Sequence, residues 1–401
     1  MMFAWKSLFP LILVIGFIIF EERISIPSCE EEIISNGEDI VRDEEGGPDD
    51  VRVMMVANLL LMGSDDAGYI NSYFRYSYMA KFFRKSFDRL KPDMLIVLGD
   101  VSARGSKLTN NKWLSVLQQF QWMLGPFLSH PMHIIVGDRD IGECSKLNAK
   151  FVSRIASSLP GLDTAGCGAF EVSNISFVSL NAVAMLCGNN DLRFSVEKVI
   201  EREHLDVKFH SKGSAVGVSE PKMVENKLTN LDWRESTLSS RSGPVLLLHF
   251  PLHKTNNNGG AINVVKRIHS TKSYGISNSV ENRGFSGTGQ YELMQTIPPN
   301  ATEYIFQALK PRIVFSAHTH EFCDYTHRDG TREITVPAMT WDARDDPGFV
   351  IATFGRNRAV TVSQCSLARE SHVLTAYISI LVLLISTMVI VLKSQLTQSA
   401  I

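Results

Sequence analysis

The sequence has no marked excess of charge of either sign and no pair of cysteines spaced as CxxC. Its formal net charge is -2 over 401 residues, so it lacks the basic field that attracts nucleic acid. The missing CxxC spacing argues against a zinc ribbon, and no internal repeat is visible. With 44% hydrophobic and 20% charged residues, the composition is typical of a globular protein with a sizeable core.

The 6 cysteines all lie between two long apolar runs. Their even number is what disulfides in an oxidising compartment require. They are Cys29, Cys144, Cys167, Cys187, Cys323 and Cys365. For Cys144, Cys167 and Cys187 two interpretations stay open, because a buried free thiol fits the sequence as well as a disulfide does.

The two apolar runs predict membrane attachment at both ends of the chain. SLFPLILVIGFIIF predicts an N-terminal anchor over residues 1–22, a signal anchor or an uncleaved signal sequence. Residues 373–392 carry no charge and predict a transmembrane helix. Lys6 precedes the first run and Lys393 follows the second. The positive-inside rule therefore predicts that both termini, including the tail 393–401, are cytosolic and that the body is lumenal.

Residues 23–50 are strongly acidic and are interrupted by glycine and proline. This composition predicts a solvated lumenal stem, with a cation store as the alternative. Two sequons make Asn174 and Asn300 candidates for glycosylation, which is compatible with a lumenal body.

Residues 51–365 have the pattern of an α/β domain. Several of its short apolar runs lack alternation, which indicates strands covered on both faces. The runs are VMMVANLLL, DMLIVLGD, HIIVGD, ISFVSLNA, PVLLLHF and RIVFSAH. YMAKFFRKSFDRLK and NKWLSVLQQFQWML predict amphipathic helices with their aromatic residues in the core. The polar stretches 201–241 and 253–290 predict loops.

Metal-ligating side chains follow several of these strands. In open α/β sheets, ligands bind where the carboxyl ends of strands meet. Carboxylates and neutral imidazoles suit Mn, Fe or Zn, and a bridging carboxylate lets two ions sit about 4 Å apart, where they activate water and hold a phosphoryl group. The pattern therefore predicts a divalent metal centre formed by Asn58, Asp100, Asp138, His249, His318 and His320.

The order of these motifs resembles that of calcineurin-type metallophosphoesterases. GDVSARG, GDRD, HFPL and AHTH match four of the family motifs D-x-H, G-D-x-x-x-x-G, G-N-H-D, H and G-H-x-H. The resemblance covers about residues 51–354. It implies a sandwich of two mixed β-sheets flanked by helices, and a metal-dependent phosphoesterase activity. In this chain the sandwich would lie between the N-terminal and C-terminal transmembrane segments that the apolar runs predict.

VANLLLMG, HFPLHK and EITVPAMTWDARDDPGFVIATF are similar to one membrane-bound branch of that family. That branch removes ethanolamine phosphate from mannose of glycosylphosphatidylinositol (GPI) anchors in the ER and early Golgi, and it uses manganese. The resemblance implies one or two divalent ions, with Mn²⁺ as the metal of that branch, and implies GPI-anchored proteins or the GPI glycan as partners.

Four residues match the family's metal ligands directly. The resemblance implies that Asp100 is the bridging carboxylate, that His249 and His318 bind the second metal, and that His320 binds the first. Asn58 stands where the first motif has Asp, and Leu60 stands where it has His. The first metal therefore loses a charged ligand and an imidazole.

Asp138 replaces the Asn ligand of the second metal, an exchange opposite to that at Asn58. One carboxylate has in effect moved from one metal toward the other. We expect one well-bound ion held by Asp100, Asp138, His249 and His318, beside a weak or vacant position near His320 and Asn58. The sequence leaves open whether Asp65 or Asp66 replaces the missing ligands.

Arg139 replaces the family's phosphate-assisting histidine, and we predict that Arg139 and Asp140 are catalytic residues. Arginine cannot transfer a proton near neutral pH, but its planar fork suits a phosphate. An ion pair with Asp138 or Asp140 is the alternative. The predicted function is lumenal phosphodiester hydrolysis on the GPI glycan. The alternative is a non-catalytic membrane receptor that binds GPI-anchored cargo through the same pocket.

Overall fold

The computed structural model describes residues 2–34, 50–63, 69–144, 147–187, 191–213, 243–254, 295–355 and 359–399. The chain divides into two compact units. The first consists of Met1–Gly142 with Val336–Ile401, and the second is Glu143–Thr335. Each unit contains one six-stranded mixed sheet, so the predicted α/β class with two mixed sheets is confirmed.

The described strands are β1 (Ser28–Ile34), β2 (Val51–Val56), β3 (Met94–Val97), β4 (Met132–Ile134), β5 (Gly168–Val172), β6 (Ile175–Ser179), β7 (Val245–Leu247), β8 (Ile313–Ser316), β9 (Cys323–Thr326), β10 (Arg332–Thr335), β11 (Gly348–Phe354) and β12 (Val360–Ser366). The described helices are α1 (Met2–Ile24), α2 (Tyr69–Leu90), α3 (Asn110–Leu124), α4 (Asp138–Ile141), α5 (Ala149–Ala156), α6 (Ala182–Leu186), α7 (Asp191–Gly213), α8 (Pro299–Leu309) and α9 (Glu370–Ser399).

The sheet of the first unit has the order β1-β12-β11-β2-β3-β4. Strands β2, β3 and β4 are parallel to one another, and the other pairs are antiparallel. Strands β2 and β3 are almost entirely buried, as expected for strands covered on both faces. Their carboxyl ends lead into the segments that carry Asn58 and Asp100.

The sheet of the second unit has the order β5-β6-β7-β8-β10-β9. Strands β6, β7, β8 and β10 are parallel. Strands β5 and β9 pair antiparallel at the two edges. The central strands β7 and β8 are fully buried, and they end just before His249 and His318.

Two of the sequence predictions for polar segments are wrong. Part of the predicted solvated stem forms strand β1, which pairs antiparallel with β12 from Ser28↔Ser366 to Ile34↔Val360. At a sheet edge the ladder supplies the backbone hydrogen bonds, so a glutamate-rich run is tolerated there. Residues 201–213 belong to helix α7 and not to a loop. The rest of both predicted loops, 214–241 and 255–290, and residues 35–49 of the stem lie outside the described residues.

Both predicted helices are confirmed as α2 and α3. Their aromatic side chains are mostly in the core, including Tyr78, Phe82 and Trp113. Trp122 is an exception, because 59% of it is exposed.

The cysteines fall into both of the predicted classes. Cys29 pairs with Cys365 across strands β1 and β12, and Cys144 pairs with Cys187 in the second unit. Cys167 is a buried free thiol whose pKa is raised by burial, so it is expected to be unreactive.

Helix α9 contains a segment, Glu370–Lys393, that is long and apolar enough to cross a bilayer by length and composition. It includes the predicted span 373–392. Helix α1 is present as a helix, but the described residues do not show it as a second span, so the predicted N-terminal anchor stays a prediction.

A buried histidine in the first sheet predicts acid sensitivity. His133 on β4 is fully buried, and burial lowers its pKa to about 3. The unfolded chain binds a proton below its ordinary pKa of 6.5 while the folded chain does not. The free energy of unfolding therefore falls as the pH drops from about 6.5 toward 3, by up to about 1.4 kcal/mol per pH unit.

We expect the His133→Gln variant to lose less stability between pH 7.5 and pH 5.0 than the wild type, by about 2 kcal/mol. Urea unfolding of the detergent-solubilised chain at both pH values measures this difference. An identical loss in the variant and the wild type would show that His133 does not cause the acid sensitivity.

Candidate metal centre

In the first unit, the loops after β2 and β3 place the predicted ligands. The N–H groups of Asn58 and Leu60 donate to the carbonyls of Gly99 and Asp100, at 3.1 Å in both cases. The two loops therefore continue the pairing of β2 with β3 beyond the strands themselves. Asp100 is only 1% exposed and Asn58 is fully buried.

Backbone strain is concentrated at these strand ends. Nine non-glycine residues of the described chain have a positive φ, and five of them are Asn58, Leu60, Asp100, His318 and His320. Left-handed backbone at non-glycine residues costs about 1–3 kcal/mol each and is concentrated at functional sites. All five were singled out from the sequence as ligands or as a departure from a ligand.

Asn58 meets a simple test of whether these residues suit a metal. Both polar atoms of its side-chain amide, Oδ1 and Nδ2, are buried and have no hydrogen-bond partner among the described residues. An unsatisfied buried amide costs about 1–3 kcal/mol. A divalent ion bound through Oδ1 would offset part of that cost, so the residue fits a metal ligand. Leu60 is buried at 6% exposure and offers no ligand atom.

The GDRD turn brings Arg139 to Asp100. The backbone N–H of Arg139 donates to Asp100 Oδ1 at 3.0 Å. Its side-chain Nε lies 3.6 Å from Asp100 Oδ2. The Arg139 side chain is 46% exposed, whereas that of Asp100 is 1% exposed. The structure thus shows an ion pair with Asp100, a different partner from the Asp138 or Asp140 of the alternative interpretation.

Gly137 allows this close approach. A Cβ at position 137 would lie 2.1 Å from Asp100 Oδ1 and 2.6 Å from the Asp100 backbone nitrogen. Any larger residue would have to displace the carboxylate or the loop that carries it. Glycine is therefore required for the contact between the GDRD turn and Asp100.

Asp140, predicted to be catalytic, is fully buried and holds backbone groups. Its carboxylate accepts the N–H groups of Ser102 at 2.8 Å, Gly137 at 3.0 Å and Val101 at 3.4 Å. These bonds tie the GDVS loop to the GDRD turn. The structure places Asp140 as a residue that positions Asp100, and its catalytic role stays a prediction. Asp138 begins α4 and is half-buried.

In the second unit, neighbouring parallel strands bring His249 and His318 together. The Ala317 N–H donates to the His249 carbonyl at 3.0 Å, which extends the pairing of β7 with β8. A ring nitrogen of His249 and one of His318 lie within 4.8 Å of each other. Phe250 packs on His318 with ring centroids 3.9 Å apart. This pair is suited to bind one metal ion through two imidazoles.

The turn after Ala317 separates the two histidines of AHTH. The Thr319 N–H donates to the Ala317 carbonyl at 2.8 Å, and His318 at its centre has φ 66°. This is a γ-turn. This turn replaces the extended backbone in which alternate histidines would point in opposite directions.

Sequence reasoning missed a buried pair that supports the loop after His249. Glu333 on β10 is fully buried and accepts the Leu252 N–H at 3.1 Å. Its other carboxylate oxygen lies 2.7 Å from His327 Nε2. A glutamate at the start of the run EITVP was the only indication of this role.

We expect Glu333→Ala to destabilise the protein by about 2–3 kcal/mol, because it leaves a buried N–H and a buried histidine without their acceptor. Glu333→Gln retains an acceptor oxygen for Leu252 and should cost less. Thermal unfolding of both variants tests this. Equal destabilisation by alanine and glutamine would contradict the assigned hydrogen bond.

The glycosylation candidates are both on the surface. Asn174 is exposed in the two-residue turn between β5 and β6, where Ser173 and Asn174 both have a positive φ. Asn300 is exposed in the first turn of α8. Their modification stays a prediction. Asp65 and Asp66 lie outside the described residues.

Comparisons with known proteins identify the family of the chain. Residues 68–322 match the model of the calcineurin-like phosphoesterase family. This range covers more than half of the chain. The chain therefore belongs to the calcineurin-like phosphoesterases, and divalent metal ions are implied by that fold.

Within that class, the chain is similar to proteins called metallophosphoesterase 1. It is 25% identical to the Mus musculus protein over 330 residues, which are 82% of this chain and 74% of that protein. It is also 25% identical to the Xenopus laevis protein over 342 residues, 83% and 76% of the two chains. A crystal structure of a dimetal phosphatase from Danio rerio matches 80% of this chain and 99% of its own, with 12% identity and a TM-score of 0.44.

Proposed function

We propose that this phosphoesterase is a lumenal, metal-dependent phosphodiesterase that removes ethanolamine phosphate from the mannose of GPI anchors. The observation that carries the proposal is the set of strained, largely buried ligand residues at the strand ends of both sheets. We propose Asp100 and Asp138 as metal ligands in the first unit, and His249 and His318 as metal ligands in the second.

A bound divalent metal would supply Lewis-acid activation of water and of the phosphoryl group. The chain's own residues supply positioning and charge. Asp100 is held in place by the Arg139 N–H and by the loop that Asp140 fixes. The half-exposed Arg139 guanidinium can turn its remaining N–H groups toward the non-bridging oxygens of a phosphodiester. It would thereby stabilise the charge that develops in the transition state.

The particular substrate and the compartment are proposals that go beyond the phosphoesterase activity itself. They are supported by the similarity of VANLLLMG, HFPLHK and the segment after Glu333 to the GPI-processing branch. The apolar segment of α9 agrees with a membrane enzyme acting on a membrane-linked substrate. The disulfides agree with an oxidising compartment such as the ER lumen. We propose Mn²⁺ as the metal and ER and Golgi membranes as the location.

The activity is tested with the purified full chain in detergent and a chromogenic phosphodiester, titrated with Mn²⁺. Asp100→Asn removes one negative charge and keeps the shape of the side chain. We expect Mn²⁺-dependent turnover by the wild type and at least about a 100-fold loss in the variant. Turnover that does not respond to Mn²⁺ or to the substitution would refute the assignment of Asp100.

A further inference from the structure

One face of helix α2 contacts the two apolar helices of the first unit. The Phe74 ring lies 5.7 Å from that of Tyr377 on α9, and the Tyr78 and Tyr377 hydroxyls are 3.2 Å apart. Tyr78 also donates to Glu21 near the end of α1. One and two turns further along, Lys81 pairs with Glu21 and Lys85 pairs with Glu22.

The residues of this contact face follow helical spacing. Positions 74, 78, 81 and 85 lie three or four residues apart, so they form one stripe along α2. Because each of the four contacts α1 or α9, the stripe faces the ends of those two helices. Arg75, next to Phe74, makes a bidentate pair with Glu370 at the start of α9, at 2.7 Å and 3.0 Å.

These contacts define the level of α2 relative to the apolar segments. The α1 residues that precede Glu21 include Leu11, Ile15 and Ile19, which are 48–55% exposed. The uncharged run of α9 begins at Val373, one turn before Tyr377. Phe17 of α1 packs against Tyr377 with ring centroids 4.9 Å apart. Helix α2 therefore crosses both apolar helices where their charged ends begin.

The stripe along α2 continues with a basic residue beyond Lys85, its last contact with α1. Arg89 is one turn past Lys85 on the same face, and it is exposed. Arg84 is exposed beside it. Over its 22 residues α2 carries Arg75, Lys81, Arg84, Lys85 and Arg89 against the single acidic Asp88. Tyr73, near its start, is 63% exposed. Basic residues with tyrosines on the adjoining surface are typical of helices that lie in a membrane interface.

We infer that α2 is an interfacial helix that rests on the phospholipid surface around α1 and α9, with Arg89 and Arg84 beside the phosphate groups of the lipids. The inference rests on the membrane anchoring in the proposed function. Its consequence is that the first unit is held at a fixed height above the bilayer, since α2 is tied to α9 through Arg75 and to α1 through Lys81. A lipid-linked substrate in the same leaflet would then meet Asp100 at a set distance from the membrane.

Fluorescence quenching of the full chain in phosphatidylcholine–phosphatidylglycerol vesicles tests this inference. Single dye labels are placed at Arg89→Cys, at Lys112→Cys on α3 as an exposed control, and at Met388→Cys on α9. The background is Cys323→Ser, since Cys323 is the more accessible free thiol. The ties at Arg75 and Lys81 are retained in each variant.

A quencher attached to lipid headgroups should quench the label at position 89 roughly threefold more than the label at 112, because an interfacial helix lies ~5–10 Å into the headgroup boundary. A quencher deep in the acyl chains should quench the label at 388. Equal quenching at 89 and 112, with 388 quenched, would overturn the docking of α2 and leave the anchoring intact. An unquenched label at 388 would overturn the anchoring and the docking together.

Discussion

Replacing His249 by alanine is expected to lower kcat/KM for metal-dependent phosphodiester hydrolysis by about 10³-fold or more. His249 is fully buried and lies beside His318, with ring nitrogens within 4.8 Å. Removing one of two neighbouring imidazoles leaves the metal with fewer ligands and His318 without a partner for chelation. Increasing the Mn²⁺ concentration should recover only part of the activity.

His253→Ala is the matched control for this prediction. It is the same substitution four residues along the same loop, at a half-buried position whose backbone N–H, not its ring, contacts Thr302 at 3.0 Å. The control should retain activity within about twofold. If His249→Ala kept wild-type turnover while folded, the metal-ligand assignment in the second unit would be wrong.

Arg139→Gln is expected to lower kcat by about 100-fold, with Arg139→Lys recovering part of the loss. The physical reason is that a planar guanidinium beside Asp100 can stabilise charge on two phosphate oxygens at once, whereas glutamine carries no charge and lysine is a point charge. Kinetics over a range of substrate concentrations separate the effect on kcat from that on KM.

Arg104→Gln controls for the loss of a positive charge near the same loops, because Arg104 is exposed in the GDVSARG segment. One outcome for Arg139→Gln would contradict the phosphate-binding role. If the apparent affinity for Mn²⁺ rose and kcat stayed constant, Arg139 would only compete with the metal for Asp100. The phosphate-binding role would then be wrong.

The buried parallel strands could be predicted from the sequence because they are short, apolar and closed by turns. All six predicted runs contain strands of the structure, β2, β3, β4, β6, β7 and β8. Strand β1 could not be predicted, because SCEEEII has the charge of a tether and its stability comes from pairing with β12 and from Cys365, more than 300 residues away. Strand β9 is similar, since CDYT is short and half-exposed.

Helix α7 differs from strands β1 and β9, because its sequence does contain the pattern of its structure. Its final residues, up to Gly213, are polar, so composition alone predicted a loop. The helical spacing that begins at Asp191 continues through them, and this periodicity indicates the structure better than polarity does.

The positions of the candidate ligands just after buried strands could also be predicted, because the strand ends are readable from the sequence. The supporting contacts could not. Arg139 pairs with Asp100, which is 39 positions away in the chain. Glu333 accepts from Leu252, which is 81 positions away. Such partners are brought together only when each sheet assembles, so local sequence patterns do not predict them.

The structure gives a physical reason why position 58 carries an amide and position 138 a carboxylate. Asn58 is buried with both amide atoms unpartnered among the described residues, while Asp138 is half-buried. A carboxylate in the buried position would carry a larger desolvation penalty than an amide. That one ion is well bound, and that the position near Asn58 and His320 is the weaker one, stays a prediction.

The central claim is tested most directly by incubating the full chain with a GPI glycan that carries ethanolamine phosphate on mannose, with Mn²⁺, and measuring the phosphoethanolamine released. Asp100→Asn and His249→Ala, shown to be folded, are run beside the wild type. Release by the wild type that disappears in both variants is the predicted result. Binding of the glycan by folded wild type without release above the variants would contradict it and would favour a GPI-binding receptor.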